Sequence, residues 1–100
     1  MVKIKWTVQA VNDIENIAEF IAKDSQNYAI IQTKRFFDSV LVLKSNPSFG
    51  RVVPEMGSKI IREIILGNYR IIYRIASKES VDIITVHHSK RQLKTQVFKK

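Results

Sequence analysis

The sequence predicts an α+β fold with the order β-α-α-β-β-β, in which a helical hairpin packs on one face of a mostly antiparallel four-stranded sheet. Three observations support this prediction: β-branched runs within residues 59–91, a two-residue break at Gly67-Asn68, and apolar residues at helical spacing within residues 7–44. Helices and strands segregated in this way form layers around one core. We therefore expect residues 1–100 to form a single domain.

Alternation and capping residues mark the first strand and the two helices. Residues 2–6 alternate apolar side chains with lysines, which is typical of a strand with one solvated face. Thr7 stands where a helix N-cap is expected, and Ser25 stands at the start of a second helix predicted for residues 27–44. Ile30, Phe37 and Leu41 widen the apolar stripe of that helix, so we expect it to be buried on more than one side.

The Gly67-Asn68 turn sets the register of the two strands that flank it. A two-residue loop with glycine first suits a type II′ hairpin, because glycine accepts the positive φ at that position. Leu66 then opposes Tyr69, and directly opposed residues share a face of the sheet. The more polar of the two predicted faces carries Ile61, Glu63, Ile65, Arg70, Ile72 and Arg74. This face is predicted to be cationic and partly open, while the other packs on the helices.

Composition narrows the classes of function. The net charge of +8 and the isoelectric point near 10.0 favour a polyanionic partner, either nucleic acid or an acidic protein segment. No apolar run approaches the roughly 20 residues of a membrane helix, and no signal peptide is recognised, so a cytoplasmic protein is expected. The sequence contains no cysteine, which excludes disulfides and thiolate metal sites.

Reactive side chains converge only on the predicted open face. Arg70 and Arg74 lie four residues apart on one strand, an even spacing, and so point the same way. An arginine that neutralises a phosphate, a histidine that shuttles a proton and a second cation would suffice for metal-free phosphodiester cleavage, with Arg70, His88 and Arg91 as candidates. The other interpretation is an ion-pair lattice in which Glu63 pairs with Arg70 and Arg74, and Asp82 pairs with Arg74. The residues alone favour the lattice.

The histidine positions depend on the register of the last strand, which the longer preceding loop leaves open. If Ile75 pairs with Val81, His88 lies diagonal to Arg70, whereas a slip of one residue brings His87 to that face instead. Adjacent histidines on a strand point to opposite faces and have no third ligand at a plausible spacing, so no metal site is expected. No cofactor is expected either, because the three glycines are not clustered into a phosphate-binding loop.

Several pieces of the sequence resemble the RelE/ParE superfamily of toxins from type II toxin–antitoxin systems, which includes plasmid-stabilisation proteins. In order, and over nearly the whole length, they are "FIAKDS", "NPSFGRVVPE", the "RE" of Arg62-Glu63, "NYRIIYRI" and "VHHSKRQL". The resemblance implies the α+β fold given above and a cytoplasmic growth inhibitor that a cognate antitoxin neutralises. In the family, the C-terminal segment of the antitoxin wraps the toxin. An acidic antitoxin would agree with the positive charge of this chain.

The resemblance leaves two branches open, and we favour ParE-like toxins, which poison DNA gyrase and do not cleave RNA. RelE-like toxins cleave mRNA on the ribosome, using basic residues on the open sheet face with a C-terminal tyrosine or a histidine. Arg70 matches the arginine of their "YR" strand motif, and His88 or Arg91 could match the late basic or proton-transferring position. These three would be catalytic only in a nuclease. However, Ile61 and Glu63 stand where those nucleases carry two lysines, and the tail has no tyrosine.

The resulting hypothesis is a ParE-like toxin that acts on DNA gyrase and replication. The alternative is a ribosome-dependent mRNA endonuclease, and the third hypothesis is a degenerate toxin that only binds its antitoxin. Arg51, Arg74 and Lys90 are the residues expected to bind the target, whether gyrase or the ribosome with its mRNA.

Overall fold

The computed structural model describes residues 1–89, and within them two α-helices pack on one five-stranded sheet. The elements are β1 Lys3–Trp6, α1 Val8–Ala22, α2 Gln26–Ser39, a 3-10 helix Leu41–Lys44, β2 Arg51–Val52, β3 Ile61–Leu66, β4 Tyr69–Ile75 and β5 Ser80–His88. The sheet order is β1-β5-β4-β3-β2, with β1 parallel to β5 and the other neighbours antiparallel. The predicted α+β class is confirmed. The described sheet has one more strand than predicted, because Arg51 and Val52 pair with β3.

Side-chain caps begin both helices at the predicted residues. Thr7 Oγ1 accepts a hydrogen bond from Ala10 N at 3.1 Å, and Ser25 Oγ accepts one from Tyr28 N at 3.1 Å. Each cap satisfies an amide that the start of a helix leaves without an intrahelical partner. The Thr7 hydroxyl also donates to the carbonyl of Ile83 at 2.8 Å, which ties the start of α1 to β5.

The second helix is shorter and more exposed than predicted. It ends at Ser39, and the chain continues as the 3-10 helix, in which Leu43 N donates to Val40 O at 2.9 Å. Residues i and i+3 of a 3-10 helix lie on the same side, so Val40 and Leu43 are both buried. The expectation of burial on more than one side is wrong, since Ile30 and Phe37 are 68% and 39% exposed. No helix among residues 1–89 has the length and apolar character needed to cross a membrane.

The β3–β4 hairpin has the predicted turn and register. Gly67 has φ +59°, while Asn68 has no positive φ, as a type II′ turn requires. Leu66 pairs with Tyr69, and the strand faces sort as predicted. The main core lies between the helices and one sheet face and consists of Ala10, Ile14, Phe36, Val40, Leu43, Ile64, Ile71, Tyr73, Val81, Ile83 and Val86.

The opposite face of the sheet is called the helix-free face below. It was predicted to be partly open, but Glu63 and Arg70 on this face are buried. Residues 51–58, the covering segment, fold over it, and Val53 packs with Ile61 and Ile72 into a second small core. These three side chains are at most 6% exposed. Because burial of apolar area stabilises a contact, this small core holds the covering segment against the sheet.

Tyr73 and Gly50 fix the chain where the covering segment begins. Gly50 N donates to Tyr73 Oη at 2.9 Å, and the Tyr73 hydroxyl donates to the carbonyl of Pro47 at 2.6 Å. A Cβ on Gly50 would lie 2.6 Å from the carbonyl oxygen of Glu63 and 2.7 Å from Tyr73 Cε1. Only glycine therefore allows the chain to approach β3 and β4 this closely.

Candidate functional site

Four charged side chains lie together on the helix-free face and in the covering segment, and we call Arg51, Glu55, Glu63 and Arg70 the ion cluster. Arg70 Nε donates to Glu63 Oε1 at 2.6 Å, and its Nη1 and Nη2 donate to the two oxygens of Glu55 at 2.7 and 2.9 Å. Arg51 Nε donates to Glu63 Oε2 at 2.5 Å. The Arg70 side chain is 8% exposed and that of Glu63 is fully buried. Two cations and two anions leave the cluster without net charge.

Mutual pairing favours the charged forms of Glu55 and Arg70. The hydrogen bonds from Arg70 lower the pKa of Glu55 from 4.5 to about 2, although partial burial acts in the opposite direction. The hydrogen bonds to Glu55, and next those to Glu63, raise the pKa of Arg70 above its ordinary value. A buried carboxylate such as Glu63 is tolerated because two guanidinium groups bind it. The cluster is therefore a stable ionic contact between the covering segment and the sheet.

The ion cluster is poorly suited to binding a phosphate. Arg70 already donates three hydrogen bonds to carboxylates, so a phosphodiester would have to displace Glu55 or compete with Glu63. The ion-pair lattice predicted for this face is present, but its pairing differs in one respect. Glu63 binds Arg51 in place of Arg74, while its predicted pair with Arg70 is present. The predicted pair of Arg74 with Asp82 is also present.

Arg74 lies farther along the same face in a more open position. It opposes Asp82, and Arg74 Nη2 donates to Asp82 Oδ2 at 2.9 Å. Ile75 pairs with Val81, as one of the two predicted registers requires. The Arg74 side chain is 43% exposed, so this predicted target-binding residue is accessible to a ligand while Arg70 is not. Arg51, also predicted to bind the target, is 65% exposed but belongs to the ion cluster.

A β-bulge interrupts the pairing of β4 with β5. Tyr73 pairs with Ile83, but the preceding residue of β4, Ile72, pairs with Thr85. Ile84 is therefore the extra residue of the bulge. Because side chains alternate along a strand, one extra residue moves every later side chain of β5 to the other face.

The bulge determines which face of the sheet each histidine occupies. His87 opposes Arg70, and His88 opposes Tyr69 with the ring centroids 5.7 Å apart. The expected position of His88 diagonal to Arg70 is therefore wrong, and the alternative one-residue slip is what occurs. His88 lies on the helix side of the sheet, so the described residues do not bring Arg70 and His88 together as a nuclease would require. The other two candidates, Lys90 and Arg91, lie outside the described residues.

Asp13 is a site residue that the sequence analysis missed. Its Oδ2 accepts hydrogen bonds from Thr85 Oγ1 at 2.5 Å and from Val86 N at 3.0 Å, so it joins α1 to β5 beside the bulge. A cavity of about 360 Å³ at this junction is lined by Asp13, Asn16, Ile17, Phe20, Tyr69, Val86, His87 and His88. Helical periodicity does not reveal this contact, since no sequence signal points to a partner 72 residues away. Among residues 1–89, no three metal-ligating side chains are grouped to hold an ion.

A groove between α1 and α2 has a mainly apolar lining. Its volume is about 560 Å³, and it is lined by Ala18, Glu19, Ala22, Gln26, Ala29, Ile30, Thr33 and Lys34. Alanines provide the small side chains of the groove, and the largely exposed Ile30 is its largest apolar residue. Exposed apolar surface of this kind marks sites of protein–protein contact.

Comparison with known proteins agrees with this architecture. A family described as "ParE toxin of type II toxin-antitoxin system, parDE" matches residues 4–93. The chain belongs to the ParE toxin family. It is 33% identical over 92 residues to Y4kP of Sinorhizobium fredii, a protein named as a candidate toxin, and the match covers 90% of this chain and 91% of Y4kP. The superfamily resemblance and the preference for its ParE branch are confirmed.

A solved structure shares the fold of this ParE-family chain. It is described as "Chromosomal ParDE TA system from P. aeruginosa", and it superposes with a TM-score of 0.72 at 19% sequence identity. The match covers 88% of this chain and 96% of the other. Two helices on a mostly antiparallel sheet are thus the shared fold.

Proposed function

We propose that this ParE-family toxin arrests growth in the cytoplasm by acting on DNA gyrase, without cleaving mRNA, and that a cognate acidic antitoxin neutralises it. The neutral ion cluster is the observation that carries the proposal. Arg70, which a nuclease of this fold would use to bind phosphate, is almost fully buried and bonded to two carboxylates. Family membership supports a toxin, and the state of Arg70 supports a mode of action other than cleavage.

Electrostatics oppose phosphodiester cleavage at Arg70. In-line attack builds negative charge on the phosphate, and an efficient site holds donors or cations ready for that charge. Glu63 and Glu55 neutralise the arginines of the ion cluster, so the cluster offers a phosphate no net positive charge. A carboxylate without such partners would repel a phosphate by about 4 kcal/mol at 4 Å and an effective dielectric near 20. Losing one electrostatic group commonly costs about a hundredfold or more in rate, so a carboxylate in its place should be at least as damaging.

The decisive experiment separates the two targets in one culture. After induction of the toxin, transcript ends are mapped, and plasmid supercoiling and gyrase–DNA cleavage complexes are measured in parallel. We expect gyrase activity to change without new codon-phased transcript ends. Sharp cuts in ribosome-bound transcripts with supercoiling untouched would contradict the proposal and establish the nuclease.

We propose that Arg74 contacts the target. An Arg74→Gln variant should weaken gyrase inhibition by roughly tenfold, the loss typical of one charged contact. Arg35→Gln is the matched control, because Arg35 is an exposed arginine on α2 and the charge change is the same. Equal inhibition by the two variants would remove Arg74 from the target surface. Lys90 and Arg51 remain proposed target contacts.

The proposed antitoxin site is the groove between α1 and α2, extended by a free edge of the sheet. An amphipathic helix can place apolar side chains against the small residues of the groove, and an extended segment can add to a strand edge. Apolar contact would supply most of the binding free energy. The positive charge of the toxin would mainly accelerate encounter with an acidic partner.

Co-expression with the product of the adjacent reading frame tests this site. We expect restored growth and a stable complex on gel filtration. Ile30→Asp should weaken the complex by at least roughly tenfold, because it places a charge in the groove. Val8→Asp is the control, since Val8 is 75% exposed and lies outside the groove. If the adjacent product neither restores growth nor forms a complex, the antitoxin proposal is wrong.

A further inference from the structure

A cleft beside β1 gathers lysines that the proposed function does not use. It has a volume of about 520 Å³ and lies between β1, the end of the 3-10 helix and the β4–β5 turn. We call it the basic cleft, and its charged lining residues are Lys3, Lys5, Lys44, Lys78 and Glu79. Four ammonium groups against one carboxylate make it strongly cationic.

Backbone hydrogen bonds hold the three walls of the basic cleft together. Val2 N donates to the carbonyl of Lys44 at 3.1 Å, and Lys3 N donates to the carbonyl of Glu79 at 2.8 Å. The start of β1 is thus bonded to the other two walls. Lys3 and Lys5 lie two residues apart on this strand and so point to the same side. The sheet itself therefore sets the spacing of the lysines.

The β4–β5 turn adds hydroxyl groups to the cleft. Ala76 N donates to the carbonyl of Ser80 at 3.0 Å, and Glu79 N donates to Ser77 Oγ at 3.1 Å. The hydroxyls of Ser77 and Ser80 lie 3.3 Å apart. Serine hydroxyls beside lysines are common donors to phosphate oxygens in nucleic-acid complexes.

The positive charge of the basic cleft is available to a ligand. Among residues 1–89, the ion pairs involve Lys34, Arg51, Arg70 and Arg74, and none involves a lysine of the cleft. The four cleft lysines are exposed. The ion cluster differs in both respects, because its cations are neutralised and Arg70 is buried.

We infer that the basic cleft binds the phosphodiester backbone of a nucleic acid, independently of how the toxin acts on its target. Lysines and hydroxyls on a fixed scaffold contact phosphates without reading sequence. An acidic peptide fits less well, because peptide docking relies on buried apolar anchors, and the lining of the cleft is mainly lysine and serine. The toxin would thereby hold DNA or RNA at the β1 edge.

The test measures binding of the purified full-length toxin to a labelled DNA duplex and to a labelled single-stranded RNA over a range of salt concentrations. A Lys3→Gln, Lys5→Gln, Lys78→Gln triple variant removes cleft lysines. The matched control is Lys23→Gln, Lys34→Gln, Lys59→Gln, which carries the same number of exposed substitutions elsewhere. Both variants reduce the net charge from +8 by the same amount.

Counterion release fixes the expected result. Each phosphate contact contributes about 0.9 to the slope of log affinity against log salt for duplex DNA, and about 0.7 for a single strand. The cleft variant should lose about two to three units of slope and roughly tenfold in affinity per contact near 0.1 M salt. The control should retain most of both, and the polymer that shows the difference is the ligand. Equal losses in the two variants would overturn the inference, because overall charge would then explain binding.

A gain-of-affinity variant tests the position of the phosphate. Glu79→Gln removes the carboxylate from the cleft and should tighten binding several-fold, whereas Glu15→Gln, on the exposed side of α1, should not. If the two variants bind alike, no phosphate lies in the cleft. The inference is also wrong if cleft lysines affect binding of a polyglutamate peptide but of neither nucleic acid.

Discussion

The helix-free face of the sheet contains two groups of cationic side chains that meet different surroundings. Arg70 lies under the covering segment, bonded to Glu55 and Glu63, with its side chain 8% exposed. Arg74 lies on the same strand four pairs farther from the Gly67-Asn68 turn, and its side chain is 43% exposed. Beyond it, Lys5 opposes Asp82 across β1 and β5 and is exposed.

The difference shows that position on the sheet does not by itself give an arginine a binding role. Near the turn, the covering segment excludes water and supplies Glu55, so the charge of Arg70 stabilises the fold. Toward β1 no described segment covers the sheet, and the lysines keep their charge for a partner. Among the described residues, the cations that are open to a partner therefore lie away from Arg70, the residue first predicted to be catalytic.

The largest expected effect comes from removing the buried cation. Arg70→Met should lower the free energy of unfolding by about 3 kcal/mol or more, because it leaves Glu55 without its partner and the buried Glu63 with Arg51 alone. Arg74→Met should cost less than about 1 kcal/mol, since its ion pair is partly solvated. Urea unfolding of both variants measures the difference. Similar costs would mean that the two regions are not energetically distinct.

A smaller effect is expected from adding a side chain at Gly50, where the chain that leads into the covering segment lies close to β3 and β4. Gly50→Ala should cost about 2 kcal/mol, because its Cβ would overlap the Glu63 carbonyl and the Tyr73 ring. Gly57→Ala is the comparison: its Cβ meets nothing within 4 Å, so only the positive φ opposes it, at about 1 kcal/mol. Thermal unfolding ranks the two. If Gly57→Ala were the more costly, steric contact at Gly50 would not determine how the segment is held.

The smallest expected effect is the pH dependence of stability that comes from Glu55. The pKa of Glu55 is about 2 in the folded protein and 4.5 for the free group, so the folded state binds fewer protons between these values. Its contribution is complete above pH 4.5 and is lost as the pH falls toward 2. Glu55→Gln should therefore be less stable than the wild type at neutral pH and lose less stability on acidification. Parallel acid profiles for the two proteins would show that the Arg70–Glu55 contact contributes nothing.

Local signals in the sequence determined the helix starts and the hairpin. Thr7 and Ser25 cap helices through amides three residues away, and Gly67-Asn68 joins two strands that are adjacent in the chain. Each of these interactions spans a few residues, so residue type and spacing are sufficient to predict it. The same turn correctly sorted Ile71 toward the helices and Arg70 away from them.

Only the tertiary structure decided the chemistry of the helix-free face. The bulge at Ile84 put His87, and not His88, on the helix-free face. The sequence could not predict this, because pairing across a longer loop depends on packing as well as on alternation. Glu55 reaches Arg70 because residues 51–58 bury Val53 against Ile72, and such burial depends on surfaces brought together from distant parts of the chain. The basic cleft likewise needs β1, the 3-10 helix and the β4–β5 turn in one place. Charge and apolar patterning were readable in the sequence, but the partners of each charge were set by contacts between distant segments.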